Sequence, residues 1–181
     1  MHKNQSNATE SKVIKRAFRE KHENAIKLLM RDHMQVQKIF GDFEKLKEKN
    51  EDQEKKVALI RTACEELMIH MIVEEEVLYP LAAEALDNPG LITESKMEHA
   101  ATKQLIKELE SLDADEDLYD AKVLALSKHI NHHIEKEERE MFFQMKRTDL
   151  DLLAIGDEIR SKREQIRATR VKRRGPRTKK H

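Results

Sequence analysis

The chain contains little that makes turns, sheets or cross-links. Its 181 residues include 4 Gly, 3 Pro, one cysteine and no tryptophan, and only 4% are aromatic. So few Gly and Pro exclude a fold of many short strands and tight turns. A lone Cys64 excludes an intramolecular disulfide and any cysteine-based metal cluster. No apolar run approaches the roughly 20 residues needed to span a bilayer. The polar segment Met1 to Glu10 lacks the apolar stretch of a secretion signal. The expected setting is therefore reducing and cytoplasmic, away from membranes.

What the chain has in quantity is charge and helix-forming pattern. Charged residues make up 39% and hydrophobic ones 38%. That balance favours long amphipathic helices, and the length suits one compact core with extensions. The net charge is zero, but it is unevenly spread. From Arg160 to His181 there are 11 Lys and Arg against one acid, Glu164, so the rest of the chain is correspondingly acidic.

Apolar positions recurring at alternating steps of three and four mark the buried face of a helix. A first helix is expected over about 23–49, with Ile26, Leu29, His33, Val36, Phe40 and Phe43 on that face. A second, over 54–86, carries Ile60, Ala63, Leu67, His70, Glu74, Val77 and Leu81, and Pro80 should kink it or end its regular part. Asp87-Asn88-Pro89-Gly90 is a turn by composition. A third helix, over 91–112, presents Ile92, His99, Thr102, Ile106 and Leu109. A fourth, over 118–146, presents Tyr119, Val123, Leu126, Ile130, His133, Glu137 and Met141. Asp149 is expected to cap a last helix over 150–169, with Leu152, Leu153, Ile159 and Ile166 as its apolar side. The expected fold is all-α, an up-down-up-down four-helix bundle with an additional C-terminal helix along its outside. Residues 1–22 read as a polar extension, 23–146 as the bundle, 147–169 as the added helix and 170–181 as a basic, disordered tail.

The four bundle helices each place one histidine in the apolar seam: His33, His70, His99 and His133. Two of them add a carboxylate one turn later, Glu74 and Glu137. Residues four apart share a helix face, so both His-x-x-x-Glu pairs point into the bundle. The segments repeat as well. His70 to Pro80 and His133 to Phe143 both read His-x3-Glu-Glu-x2-apolar-aromatic. An unpaired carboxylate in an apolar core costs several kcal/mol, on the order of the ion-desolvation penalty, and no Lys or Arg lies in these seams to offset it. Divalent ions would. Imidazole with carboxylate suits iron, manganese or zinc. The Glu-x-x-His motif of ferritin-like proteins is absent.

Leu28-Leu29-Met30-Arg31-Asp32-His33, the His70 to Pro80 segment, Glu98-His99 and the His133 to Phe143 segment together resemble the hemerythrin-like HHE cation-binding family. That resemblance spans about residues 23–146 and implies a four-helix bundle with a non-haem di-iron centre. By it, His33, His70, His99 and His133 would be terminal ligands, and Glu74 and Glu137 bridging ones. The pattern departs from oxygen-carrying hemerythrins. Where those have a second histidine in the third helix this chain has Lys103, and their fourth-helix aspartate is replaced by a glutamate one residue nearer the histidine. His129, or water, would then fill the missing place, and an open position would take dioxygen, peroxide or nitric oxide.

The resemblance implies binding or sensing of such a small ligand, or the handling of iron. Two further readings stand beside it. One is an enzyme acting on peroxide or oxygen, or in iron-centre repair, although no cysteine-bearing N-terminal extension is present. The other is a regulatory module acting through the basic tail, for which nucleic acid is the candidate partner of Arg170 to His181. Several nearby residues have plainer readings. Glu75, Glu76, Glu138 and Glu140 are expected mostly to form a solvated acidic face, with one of them available to hold a ligand from behind, and Asp32 to cap or orient neighbours or to lie on the surface. His22 and His132 are expected in solvent. Tyr79 and Phe143 are expected to pack rather than react. Met30, Met34, Met68, Met71, Met97, Met141 and Met145 are expected as core filler.

Overall fold

The computed structural model describes residues 23–48, 53–112 and 117–174. The expected extension 1–22, residues 49–52 and 113–116 between helices, and residues 175–181 of the tail lie outside the described residues. Among the described residues there is no strand, and no helix is long and apolar enough to cross a membrane.

The elements follow the sequence closely. Helix α1 spans Ala25–Glu48 and α2 spans Gln53–Val73. A π-helical turn, Glu74–Leu78, then leads straight into α3, Tyr79–Ala85. Helix α4 spans Pro89–Glu110 and α5 spans Asp117–Lys136. A second π-helical turn, Glu137–Met141, continues into the short α6, Phe142–Met145. Helix α7 spans Leu152–Arg174. By compactness the chain divides into two units, Leu29–Leu150, and Met1–Leu28 with Asp151–His181.

In the first unit, the four helical rods form the all-α bundle that the seams predict. Val36, Phe40 and Phe43 meet Ile60, Ala63, Leu67, Ile106, Leu109, Val123, Leu126 and Ile130 in one apolar cluster. Each Val, Leu, Ile or Phe among them stabilises the fold by about 1.5–3 kcal/mol when fully buried. His33, His70, Glu74, His99, His133 and Glu137 continue the same seams beyond this cluster, all buried.

Several local expectations are corrected. Pro80 does not end its helix. It stands at the start of α3, behind a wide turn in which Tyr79 N–H donates to Glu74 O, five residues back. Proline is not the cause of that turn, because Phe142 N–H donates to Glu137 O in the same way with no proline nearby. Each π turn inserts one residue and moves the buried face on by one position. Hence Leu81 is only half-buried, while Leu78, Tyr79 and Ala82 are buried. Phe142 is buried and Phe143 is exposed, with the Arg147 guanidinium 3.9 Å above its ring.

Pro89 and Gly90 are not a turn but the first residues of α4. Proline's fixed φ suits that position, and the Asn88 side chain accepts from Gly90 N–H at 3.1 Å. Met34 and Met97 are exposed rather than core, whereas Met71, Met141 and Met145 are buried.

In the second unit, Asp151 rather than Asp149 caps α7, accepting from Leu153 and Ala154 N–H at 3.1 and 3.0 Å. The buried side of α7 is Ile155 and Ile159, and Leu153 is exposed. The helix runs five residues further than expected, through 170–174. Gly156 lies against the backbone of Glu23 and Ala25, where any Cβ would collide with the Glu23 carbonyl. Arg160 Nη1 donates to that same carbonyl at 2.9 Å.

Candidate metal centre

Four rods each bring an imidazole to one level of the bundle. His33 comes from α1, His70 from α2, His99 from α4 and His133 from α5. Glu74 and Glu137 open the two π turns, one helical turn beyond His70 and His133. The ring atoms converge. His33 Nε2 lies 3.1 Å from His70 Nε2, and His99 Nε2 lies 3.3 Å from His133 Nε2. Glu74 reaches both pairs, with Oε1 3.1 Å from His70 Nε2 and Oε2 3.3 Å from His99 Nε2. Glu137 Oε2 lies 3.3 Å from His33 Nε2 and 3.8 Å from His133 Nε2. Two groups result that could hold a metal ion: His33, His70, Glu74 and Glu137, and Glu74, His99 and His133. Glu74 belongs to both.

The outer face of each ring is committed to a carboxylate. His33 Nδ1 bonds Glu138 Oε1 at 2.8 Å, and His70 Nδ1 bonds Asp32 Oδ2 at 3.1 Å. His99 Nδ1 bonds Glu75 Oε1 at 2.9 Å, and His133 Nδ1 bonds Glu98 Oε2 at 2.7 Å. These four bonds obey the two-fold pattern of the sequence. The acid preceding each lone histidine holds the histidine of the His-Glu pair, and the acid following each central glutamate holds the lone histidine.

A carboxylate cannot donate, so each Nδ1 carries a proton, and the inward Nε2 of a neutral ring is a lone pair. With the rings neutral, lone pairs would face one another at 3.1 and 3.3 Å beside two buried carboxylates, an arrangement that a proton or a metal ion between them relieves. Glu74 Oε1 and Glu137 Oε2 are buried with no hydrogen-bond partner, although histidine nitrogens lie within ion-pair distance. Nδ1–H held by a carboxylate, with Nε2 presented inward, is the arrangement that orients a metal-ligating histidine and raises its basicity.

The titration behaviour has the same origin. Burial opposes charge on His70, but the Glu74 carboxylate beside it and the Asp32 carboxylate bonded to its Nδ1 outweigh this and push it up to about 10. His33 and His133 are also raised. Burial is overcome by Glu137 and Glu138 in the first, and by Glu98 and Glu137 in the second. Glu74 is held well below the usual carboxylate range, since His70 and His99 outweigh its burial.

Sequence reasoning assigned these six positions but undervalued their surroundings. Glu75 and Glu138 are not simply a solvated face, and Glu98, which the sequence offers only as part of the Glu98-His99 motif, holds a ring. Lys103, where a further histidine was noted as missing, turns to Glu75 and donates to both of its oxygens at 2.7 Å. His129 belongs to neither donor group, and its Nε2 lies 3.0 Å from the Glu98 carbonyl. Glu76, Glu140 and His132 are exposed, as expected. Tyr79 does more than pack. Its hydroxyl lies 3.2 Å from His99 Nε2, 3.3 Å from Glu137 Oε1 and 3.4 Å from Glu74 Oε2. The signal that could have found it was its place five residues after Glu74, once the π turn is known.

On the other side of the histidine level is a pocket lined by the histidines with Val36, Leu67, Met71, Ile130 and Ile134.

A helical bundle with paired, carboxylate-held histidines around two buried glutamates defines a cation-binding protein. The hemerythrin HHE cation-binding domain family matches residues 24–144, and the chain belongs to that family. No curated protein matches it. Its fold is similar to the crystal structure of a hemerythrin HHE cation-binding domain-containing protein from Mycobacterium kansasii, at 23% identity and a TM-score of 0.69. The similarity covers 86% of this chain and 93% of that one.

Proposed function

We propose that the protein holds two non-haem iron ions and presents them to a small uncharged ligand, dioxygen or nitric oxide. The observation that carries this reading is the convergence of four imidazole Nε2 atoms on two buried carboxylates, with each Nδ1 pinned from behind. His33 and His70 would serve one ion, His99 and His133 the other, with Glu74 and Glu137 between them. Iron so bound supplies Lewis acidity and one-electron chemistry.

The protein's own groups do the rest. Asp32, Glu75, Glu98 and Glu138 fix the tautomers and ring orientations. Beside the histidines and Asp32, the side chains of Val36, Leu67, Met71, Ile130 and Ile134 would give a small uncharged ligand an apolar wall. Lys103 and His129 point to Glu75 and to the Glu98 backbone, so neither supports the extra histidine ligand of oxygen carriers. This leaves room for an exogenous ligand.

The test is metal content per chain on protein made in iron-replete medium, with the optical spectrum recorded in air. About two irons per chain with oxo-bridged di-ferric bands is the expected result. Zinc instead of iron would preserve the donor set and remove the gas-binding and redox reading. Protein that binds no stoichiometric metal would overturn both.

A further inference from the structure

The two halves of the bundle match each other in their histidines, glutamates and outer carboxylates, but they carry different aromatic residues beside the centre. Five residues beyond each central glutamate the π turn brings an aromatic ring onto the glutamate's own face. In one half this residue is Tyr79 and in the other Phe142, both fully buried. Phe142 lies flat against His33, with ring centroids 5.9 Å apart and planes within 5°. Tyr79 stacks on His99 at 5.4 Å, but it also brings an oxygen to the centre.

That oxygen is where one is wanted. The group containing His33 and His70 has four donors, while the group containing His99 and His133 has three. The Tyr79 hydroxyl lies beside two of those three, His99 Nε2 and Glu74 Oε2, and beside the carboxylate of Glu137. It has one proton to donate and three neighbouring acceptors within 3.4 Å. With Ser95 also bonded to the phenol oxygen, its single proton can serve only one of the three acceptors, and two inward atoms are left without a donor. A shared cation satisfies all of these atoms together.

The geometry points to Tyr79 as a seventh donor of the centre, its phenol oxygen completing the ion position formed by Glu74, His99 and His133. This rests on the iron-binding reading above and deepens it. The phenol loses its proton to solvent as the oxygen binds, as metal binding at a protonated ligand requires. The position beside Phe142 gains no such donor. The two positions would therefore be unlike in the oxygen that completes them, a phenol on the His99 side and the Glu137 carboxylate on the His33 side.

Iron-loaded, air-oxidised full-length protein tests this by resonance Raman spectroscopy in its visible band. The chain has two tyrosines, and the other, Tyr119, lies beside Cys64, Ile60 and Leu109, about four helical turns before His133. Tyrosinate modes therefore report Tyr79. Wild type is expected to show a phenolate-to-iron absorption and those modes. The Tyr79→Phe variant is expected to lose both, measured per bound iron, with its helical circular dichroism retained. Should the variant fail to fold, the wild-type spectrum still decides. Iron-loaded wild type without tyrosinate modes, or a variant with an unchanged spectrum, overturns the assignment and leaves the iron reading standing. Wild type that takes up no iron overturns both.

Discussion

Glu98 holds His133 from the neighbouring helix: Oε2 lies 2.7 Å from Nδ1, while the Glu98 carbonyl accepts from Thr102 Oγ1 at 2.9 Å and sits 3.0 Å from His129 Nε2. The bond to His133 draws the Glu98 carboxyl below its ordinary range against its partial burial. Its side chain is thus committed to one ring and its backbone to a second. Removing a group that orients a ligand in this way commonly lowers metal affinity about 10–100-fold. Glu98→Ala is expected to fall in that range by chelator competition, with the helical circular dichroism unchanged. His129→Ala, which removes a ring facing the backbone, is expected to change affinity little. Equal losses in the two variants would return His129 to consideration as a ligand.

Glu74 and Glu137 look equivalent in sequence, yet only Glu74 falls in both donor groups. Glu74→Ala should therefore deprive both ion positions of an oxygen. Glu137→Ala should leave the His99–His133 side with its three donors. Metal per chain after gel filtration is expected to fall further in the first variant than in the second. The reverse order would mean that Glu137 is the main bridge.

These six positions were legible because helical periodicity and burial both act through residue spacing. A histidine four residues from a glutamate in an apolar seam must face inward wherever the helix is regular. The π turns were not legible, because their i→i−5 bonding begins at Glu74 and Glu137 themselves, where regular spacing stops being a guide. The exchange of Phe143 for Phe142, of Leu81 for Ala82, and the inward hydroxyl of Tyr79 all follow from that one inserted residue. Glu75, Glu98 and Glu138 were hidden for a different reason. Each bonds a ring on another helix, and such cross-helix pairing has no spacing to read within its own segment. In α7, Leu153 and Ile155 are equally apolar, and the close approach of Gly156 to Glu23 and Ala25 decides which face is covered.

That close approach supports a prediction about stability alone. In a helix interior alanine is preferred to glycine by about 1 kcal/mol. At Gly156, however, a methyl group would overlap the Glu23 carbonyl and crowd Ala25 N, both backbone atoms that cannot swing aside. Overpacking of this kind costs about 1–3 kcal/mol. Gly156→Ala is expected to lower the melting temperature while leaving metal per chain unchanged. A variant as stable as wild type would show that the first turn of α1 yields without cost.

Protons and metal ions compete for the same inward lone pairs, and this sets the pH dependence. In metal-stripped protein, burial disfavours a charged His70, but Glu74 and Asp32 raise it to about 10, and His33 and His133 move the same way. A histidine raised above its ordinary 6.5 binds its proton more tightly when folded. Its contribution to stability is then complete below 6.5 and declines as pH rises toward 10. Glu74, held below its ordinary 4.5, contributes above that value and loses its contribution as pH falls through its folded value. The stripped protein is therefore expected to melt highest between those two ordinary values and progressively lower as alkali is added. Metal loading should show the opposite trend over the neutral range. Each Nε2 must be unprotonated to bind, so affinity is expected to rise with pH and binding to release protons into a weakly buffered solution. Thermal melts of stripped and loaded protein at matched pH, with proton release followed by an indicator dye, check both halves. A stripped protein whose melting temperature is flat from neutral to alkaline pH would show that the cluster does not take up protons in place of metal.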